Sequence, residues 1–438
     1  MPGHEVRRIK TRTAIPVAAV TVWAVVAGGC GGGGNDPPPA TNSPPVAISP
    51  PPPPPPPPVE PPPPVQPVGS GPANCTNGSA DGFPCSGISL GNRVTLDTMG
   101  GTGGNDIWGW SDAQTGNEYA LMGMTNGVAF VDISNPENPV FLGRLPTHTG
   151  ESTWRDIKVY RDHAYIVADN TGAHGMQVFD LRRLRGLSAP QTFSADVVYG
   201  DFHNAHNLAI NEDTGFAYAV GTNTCGRGLH IVDIRTPNNP LFSGCHSAVG
   251  THDTQCVVYQ GPDEDHLERE ICISSNEDHV EVVDVTDKFA PLSLSSTRYP
   301  QLAYVHQGWL TEDHRFFLLG DELDESTFDL STRTHVIDVS DLDAPVYVFP
   351  YSLGTLATDH NLYVLGNRVF EANYRSGLRI LEFGDLANRE LEEIAFFDTF
   401  PDSDGDGFEG AWSVYPYLPS GTIIVSDINS GLFILSMQ

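Results

Sequence analysis

Gly127-Val-Ala-Phe-Val-Asp-Ile133 decides how this chain is read, because the phrase returns six more times. The copies are Gly175-Met-Gln-Val-Phe-Asp-Leu181, Gly228-Leu-His-Ile-Val-Asp-Ile234, His279-Val-Glu-Val-Val-Asp-Val285, Thr334-His-Val-Ile-Asp-Val339, Gly377-Leu-Arg-Ile-Leu-Glu-Phe383 and Gly431-Leu-Phe-Ile-Leu-Ser-Met437. Its acid falls at Asp132, Asp180, Asp233, Asp284, Asp338 and Glu382, and decays to Ser436 in the last copy. Successive gaps are 48, 53, 51, 54, 44 and 54 residues. A period of that length with several short strands per unit is the pattern of a β-propeller, whose units bury their faces against one another.

Residues 154–200 illustrate one unit. Arg155-Asp-Ile-Lys-Val-Tyr160 and His163-Ala-Tyr-Ile-Val-Ala168 read as two strands about an Arg161-Asp162 turn. Gly175–Leu181 is the third strand, and a fourth is expected around Thr192–Val198. Short β-branched and aromatic runs separated by Gly, Asn and Asp give an antiparallel meander. Second strands are expected at Tyr119–Met122, Ala217–Val220, Glu270–Ile273, Phe316–Leu319, Leu362–Leu365 and Thr422–Val425. Pro139, Pro240, Pro291 and Pro345 each follow the acid by seven residues, where an outer strand tolerates a missing N–H. The final unit stops after its third strand, which would leave a sheet edge open. Gly87–Leu96 is the strand expected to fill it. The expected fold is all-β, a seven-bladed β-propeller of four-stranded antiparallel blades over residues 73–438, closed by an N-terminal segment (73–100).

Residues 1–72 read differently. Arg7, Arg8, Lys10 and Arg12 precede an apolar stretch, Ala14–Ala27, that is too short to span a bilayer and has the layout of a signal peptide (1–29). It ends in Val26-Ala-Gly-Gly-Cys30, which resembles a lipobox and makes Cys30 the candidate lipidated residue. Residues 30–72 form a Gly/Pro-rich tether. The fifteen residues Pro50–Pro64 are nearly all proline, and as polyproline II they would reach roughly 45 Å. The lipid would hold the chain to a membrane in the cell envelope, and Gly31 after Cys30 points to a bacterial outer membrane or cell surface.

The net charge is −31; without residues 1–29, 19 basic residues remain against 53 acidic, a balance of −34. That excludes nucleic acid and anionic lipid as electrostatic partners. Seven cysteines less Cys30 leave six. Proximity along the chain suggests Cys75 with Cys85, Cys225 with Cys245, and Cys256 with Cys272, although six cysteines allow fifteen connectivities. Disulfides belong to an exported, oxidising compartment.

Aligned by repeat, His206, His252, His306 and His360 open the first strands of four successive blades. Inner strands line a propeller's channel, so these imidazoles should ring one mouth of it. Second strands end on the same face, bringing Asp169, Glu277, Glu322, Glu371 and Asp427. Imidazole with carboxylate suits a divalent transition metal or a small ligand; a polar, purely structural ring is the other reading. Asp402-Ser-Asp404-Gly-Asp406-Gly, with Glu409 behind, resembles the start of a calcium loop, although the position of the closing Glu is Trp412. Asp321-Glu-Leu-Asp-Glu325 reads as a solvated loop of the fifth blade, with added ligands for the channel mouth as the other reading. No phosphate loop, and no glycine-rich turn leading into a helix, supplies a cofactor site.

The repeated phrase resembles the LVIVD repeat of bacterial surface proteins, and the fuller chain resembles the choice-of-anchor B family over about residues 90–438. The resemblance rests on His203-Asn-Ala-His-Asn207, Thr251-His-Asp253, Val305-His-Gln-Gly-Trp309, Thr358-Asp-His-Asn361, Asn373-Tyr-Arg-Ser-Gly-Leu-Arg-Ile380, Gly410-Ala-Trp412 and Tyr417-Leu-Pro-Ser-Gly421. It implies an exported propeller held to the cell by an anchor, and it implies no reaction. The sequence thus favours a monomeric surface-anchored module that binds a protein, glycan or small ligand. The alternative is a metal-dependent hydrolase or lyase using the same histidines.

Overall fold

The computed structural model describes residues 70–187, 189–247 and 250–438. Signal peptide, Cys30 and most of the tether lie outside the described residues. The rest is seven sheets, each built on a four-stranded antiparallel blade. Among the described residues helix is confined to single turns such as Leu96–Met99 and Asp324–Phe328. No helix among the described residues is long and apolar enough to cross a membrane.

The repeated phrase forms the third strand of every blade, buried on both faces in Val128–Val131, Leu229–Val232 and Leu432–Leu435. Continuous apolar runs belong there because each blade is sandwiched between two others. The repeated acid has a local task. Asp132, Asp180, Asp233, Asp284 and Asp338 each accept the backbone N–H two residues on, at 2.9–3.0 Å, turning the chain at the strand end. The prolines then stand directly before the outer strands, Val140–Pro146, Leu241–His246, Leu292–Thr297 and Val346–Ser352.

Ring closure follows expectation. Ile88–Val94 pairs antiparallel with Gly431–Met437 as the outer strand of blade seven. Upstream, Ala73 bridges to Leu90, and Phe83–Ser86 extends blade six along Leu391–Phe397. The incoming segment therefore straddles the seam. Cys75–Cys85, Cys225–Cys245 and Cys256–Cys272 are all formed, the last between directly paired residues of adjacent strands.

Two strand assignments need correction. In blade six Leu362–Leu365 belongs to the innermost strand, Asn361–Leu365, and the second strand is Arg368–Ala372. A two-residue Gly366-Asn367 turn joins them, with Gly366 at φ +61°, so the apolar run there is one strand further in than the other blades suggest. In blade two the outer strand is Val197–Tyr199; Gln191–Thr192 instead pairs parallel with the outer strand of blade one.

Candidate functional site

Inner strands start at one mouth of the channel and end at the other. His206, His252, His306 and His360 sit at or just before the starts of theirs and stack edge to edge, with ring centres 4.5, 4.3 and 4.4 Å apart. Trp154 and Trp412 continue the arc at its two ends. Nδ1 of His252 donates to the His306 carbonyl (3.0 Å), Nδ1 of His306 to the His360 carbonyl (3.1 Å), and Nδ1 of His360 to the Trp412 carbonyl. A carbonyl only accepts, so these bonds assign the proton to Nδ1 and leave a lone pair on Nε2. His206 is tied differently, through Nδ1 to Asp169 at 3.0 Å. Burial, reinforced by the neighbouring imidazoles, holds His252 well below its ordinary value and brings His306 and His360 down to about 3. At neutral pH these rings are uncharged, the form in which imidazole binds metals.

The mouth is a basin of about 620 Å³ lined by all four histidines with Trp154, Asp169, Tyr304, Glu322, Tyr374 and Trp412. Glu322 stands 3.6 Å from Nε2 of His306 and 3.9 Å from Nε2 of His360. The three ligand atoms lie within 4.8 Å of one another, close enough for one ion. The Tyr374 hydroxyl donates to Glu322 at 2.8 Å, and its ring lies 4.5 Å from His360. Tyr304 packs 5.3 Å from His252. Neither tyrosine emerges from the repeat alignment; both sit in connections, and only the quoted Asn373-Tyr-Arg-Ser-Gly string marks one of them.

Other candidates lie elsewhere. Glu277 stands at the rim, 3.7 Å from Arg227. Glu371 is buried within the blades, accepting from Thr334 (2.5 Å) and Asn373 (2.9 Å), and burial pushes it up to about 7. Asp427 is fully buried and accepts the backbone N–H groups of Asn429 and Ser430. Asp427 misses the basin because side chains alternate across a strand and a one-residue offset reverses the face; Glu371 lies inside the strand Arg368–Ala372, three residues before Tyr374, which takes the mouth position. Asp402, Asp404 and Asp406 are exposed, while Glu409 is paired with Arg375, which also donates to the Asp406 carbonyl. Among the described residues these four do not gather into a metal-sized group. Asp321-Glu-Leu-Asp-Glu325 is not a solvated loop, since Asp321, Asp324 and Glu325 are buried.

Below the histidines the channel is bridged by charge. Lys158 pairs with Asp106 (3.4 Å) and Asp156, and its ammonium lies 4.5 Å from the Trp108 ring. Burial alone would lower the lysine, but the two carboxylates raise it further. Asp106 and Asp156 also accept Ile157 N–H and Leu208 N–H of the next blade; Gln255 and Gln307 do the same for Leu310 and Leu362. These polar side chains are inter-blade rivets. The far end opens into an aromatic cavity of about 500 Å³ walled by Trp108, Trp309, Tyr363, Tyr415 and Tyr417.

Fold and site together define a seven-bladed propeller with an imidazole-lined mouth. The LVIVD repeat family model matches residues 115–147, which include the first copy of the phrase. No curated protein matches the sequence. Among solved structures, the β-propeller domain of Myceliophteria thermophila Cps50 (Swd1) is similar over 80% of this chain and 100% of that one, with 11% identity and a TM-score of 0.52. Kuenenia stuttgartiensis hydrazine synthase is similar over 73% of this chain and 92% of that one, with 11% identity and a TM-score of 0.51. These likenesses are of fold alone.

Proposed function

We propose that the protein is an exported binding module of choice-of-anchor B type, held to the envelope by a lipid on Cys30. The proline-rich spacer would lift the ring off the membrane. Its ligand site is the imidazole mouth, with His306, His360 and Glu322 holding one divalent transition metal and His206, His252 and Asp169 completing the wall. The observation that carries this reading is the Nδ1–H-to-carbonyl lock on three successive histidines. A structural ring needs only those bonds; it has no use for neutral Nε2 lone pairs beside Glu322. Nitrogen with one carboxylate favours zinc or a similar ion over calcium. Such an ion would polarise a ligand oxygen, and Tyr374 would orient Glu322. The three disulfides support an oxidising compartment.

The test is elemental analysis of protein purified without chelator or affinity metal, beside His306→Ala/His360→Ala. About one transition metal per chain, lost in the variant, is the expected result. Absence of metal from the wild type after zinc equilibration would overturn the site. If the metal is there, hydrolysis of ester, phosphate and lactone substrates separates a binding module from the enzymatic alternative.

A further inference from the structure

Beyond the Lys158 ion cluster the channel ends in the aromatic cavity of about 500 Å³, a size usual for small-molecule sites. Its rings come from four consecutive blades, five, six, seven and one. Each touches the next. Ring centres lie 4.9 Å apart for Trp309 and Tyr363, 6.2 Å for Tyr363 and Tyr417, and 5.3 Å for Tyr417 and Tyr415. Trp108 closes the circuit, 4.9 Å from Tyr415 and 5.9 Å from Tyr363. The planes of these five pairs meet at 58–83°, so the wall is faceted and none of the pairs forms parallel plates.

Polar groups are left facing the cavity, which an ordinary apolar core would not do. Gln255 and Gln307 use their carbonyl oxygens to accept from the N–H groups of Leu310 and Leu362, both at 2.8 Å. Their amide NH2 groups, Nε1 of Trp108 and the Tyr363 hydroxyl have no hydrogen-bond partner among the described residues, yet none of these atoms is sealed inside protein. The side chains are buried (Gln307 2% exposed, Tyr363 3%) and line the cavity, so it is the cavity that the free groups meet. Asp253 accepts from the Thr254 N–H at 2.6 Å, and burial lifts its carboxyl to about 7. Near neutrality that group both donates and accepts.

The same wall narrows the ligand. Among the described residues Lys158 is the one Lys or Arg lining it, and Asp106 and Asp156 neutralise that charge, which leaves nothing for an anion. The Lys158 ammonium lies 4.5 Å from the Trp108 ring, so that ring already serves a cation. A flat aromatic ligand stacks best between parallel plates, and the facets supply none. A sugar ring suits both parts of the wall. Its C–H groups carry the slight positive charge that aromatic faces attract, and its hydroxyls pair with amide, indole and carboxyl groups.

We infer that this cavity is a second binding site, for a neutral pyranose sugar packed on Trp309 and Tyr363 and hydrogen-bonded by Gln255, Gln307 and Asp253. The ion cluster separates it from the imidazole mouth, so it stands whether or not that mouth holds a metal.

The experiment is saturation-transfer NMR on the full chain in a polyoxyethylene detergent, which carries neither sugar nor quaternary ammonium. The probes are the methyl pyranosides of glucose, galactose, mannose, xylose and N-acetylglucosamine, with cellobiose and maltose. Each is taken to about 20 mM, which detects complexes weaker than the roughly 4 kcal/mol of a 1 mM site. Saturable transfer to the ring C–H protons of at least one probe is expected. Trp309→Ala should weaken that probe at least about tenfold, by removing one facet. Gln255→Glu guards against a disturbed blade: it keeps the oxygen that accepts from Leu310 and loses the amide donor. It should weaken the probe about threefold while its circular dichroism stays that of the wild type. His306→Ala/His360→Ala should bind the probe unchanged. No transfer to any sugar would overturn the site, and so would binding kept in full by both Trp309→Ala and Gln255→Glu. Choline or adenosine bound at the cavity with no sugar bound would overturn it equally.

Discussion

Blades three to six and blades seven, one and two share one backbone plan and carry different chemistry on their inner strands. In the first sector a histidine opens each inner strand, and three of them are locked to the next blade by Nδ1. In the second sector Trp154 and Trp412 stand at the mouth beside the outermost histidines, and deeper in the channel Asp106, Asp156 and Lys158 bridge it with an ion cluster. The repeat is thus differentiated into a sector that presents lone pairs and a sector that fills the middle. A seven-fold scaffold gives each side chain seven equivalent addresses, and the chain uses only an arc of them for imidazole.

Removing Lys158 tests the filling sector and should have the largest effect. Lys158→Met leaves Asp106 and Asp156 buried without their cation, at a cost of about 3–5 kcal/mol in urea denaturation. A loss below about 1 kcal/mol would mean the cluster is not what holds that sector. Zinc content of the folded fraction should be unchanged, since the proposed metal ligands His306, Glu322 and His360 all come from blades five and six.

Glu371 sharpens the comparison inside the ligand sector, because it is an acid of that sector with no role at the mouth. Its folded value, about 7, lies above the ordinary value of 4.5. Between those two pH values the folded state holds a proton that the unfolded state has released. Stability therefore falls as pH rises through the window and levels off above it. Glu371→Gln should lack this increment, gaining on the wild type by up to about 1.4 kcal/mol per pH unit from 4.5 to 7. Parallel pH profiles for the two proteins would refute the assignment.

Tyr374→Phe removes the hydroxyl that orients Glu322. Zinc affinity, read by competition with a chromophoric chelator, should drop about tenfold, the lower end of the cost of losing a group that supports a metal ligand. An unchanged affinity would detach Tyr374 and Glu322 from the site. The smallest effect belongs to Asp402→Asn, which should change stability by less than about 0.5 kcal/mol, with or without calcium, because the side chain is exposed.

The ring and its closure were legible because a repeat broadcasts the same local physics seven times. The phrase, the turn-capping Asp and the delayed Pro all report one strand-turn-strand event. The histidine arc was legible for the same reason: alignment superimposes equivalent channel positions without any knowledge of contacts. What escaped alignment came from the connections. Tyr304 and Tyr374 approach the mouth from loops that differ between blades. Asp321-Glu-Leu-Asp-Glu325 looks solvated by composition, and only the distant Tyr299, Arg333, His335 and Asp359 bury it. Asp427 failed on pleat parity, a one-residue matter that strand-end counting cannot resolve, and Glu371 failed because the second strand of blade six is Arg368–Ala372 and not Leu362–Leu365. Glu409 was claimed by Arg375, which stands 34 residues earlier and carries no mark of that pairing.

The seam has a consequence in time. Ser89 and Gln438, hydrogen-bonded across it, are 349 residues apart in sequence. The strand Ile88–Val94 is made before any blade exists and finds its partner only when residues 431–437 have emerged. Until then it is an unpaired edge, and the growing ring is an open arc whose last sheet lacks its outer strand. Folding is therefore gated by completion of the chain, a contact order that favours slow closure and a long exposure to mispairing. The ring therefore cannot lock until its last strand is made, and every blade before the seventh has to hold together without the closed circle.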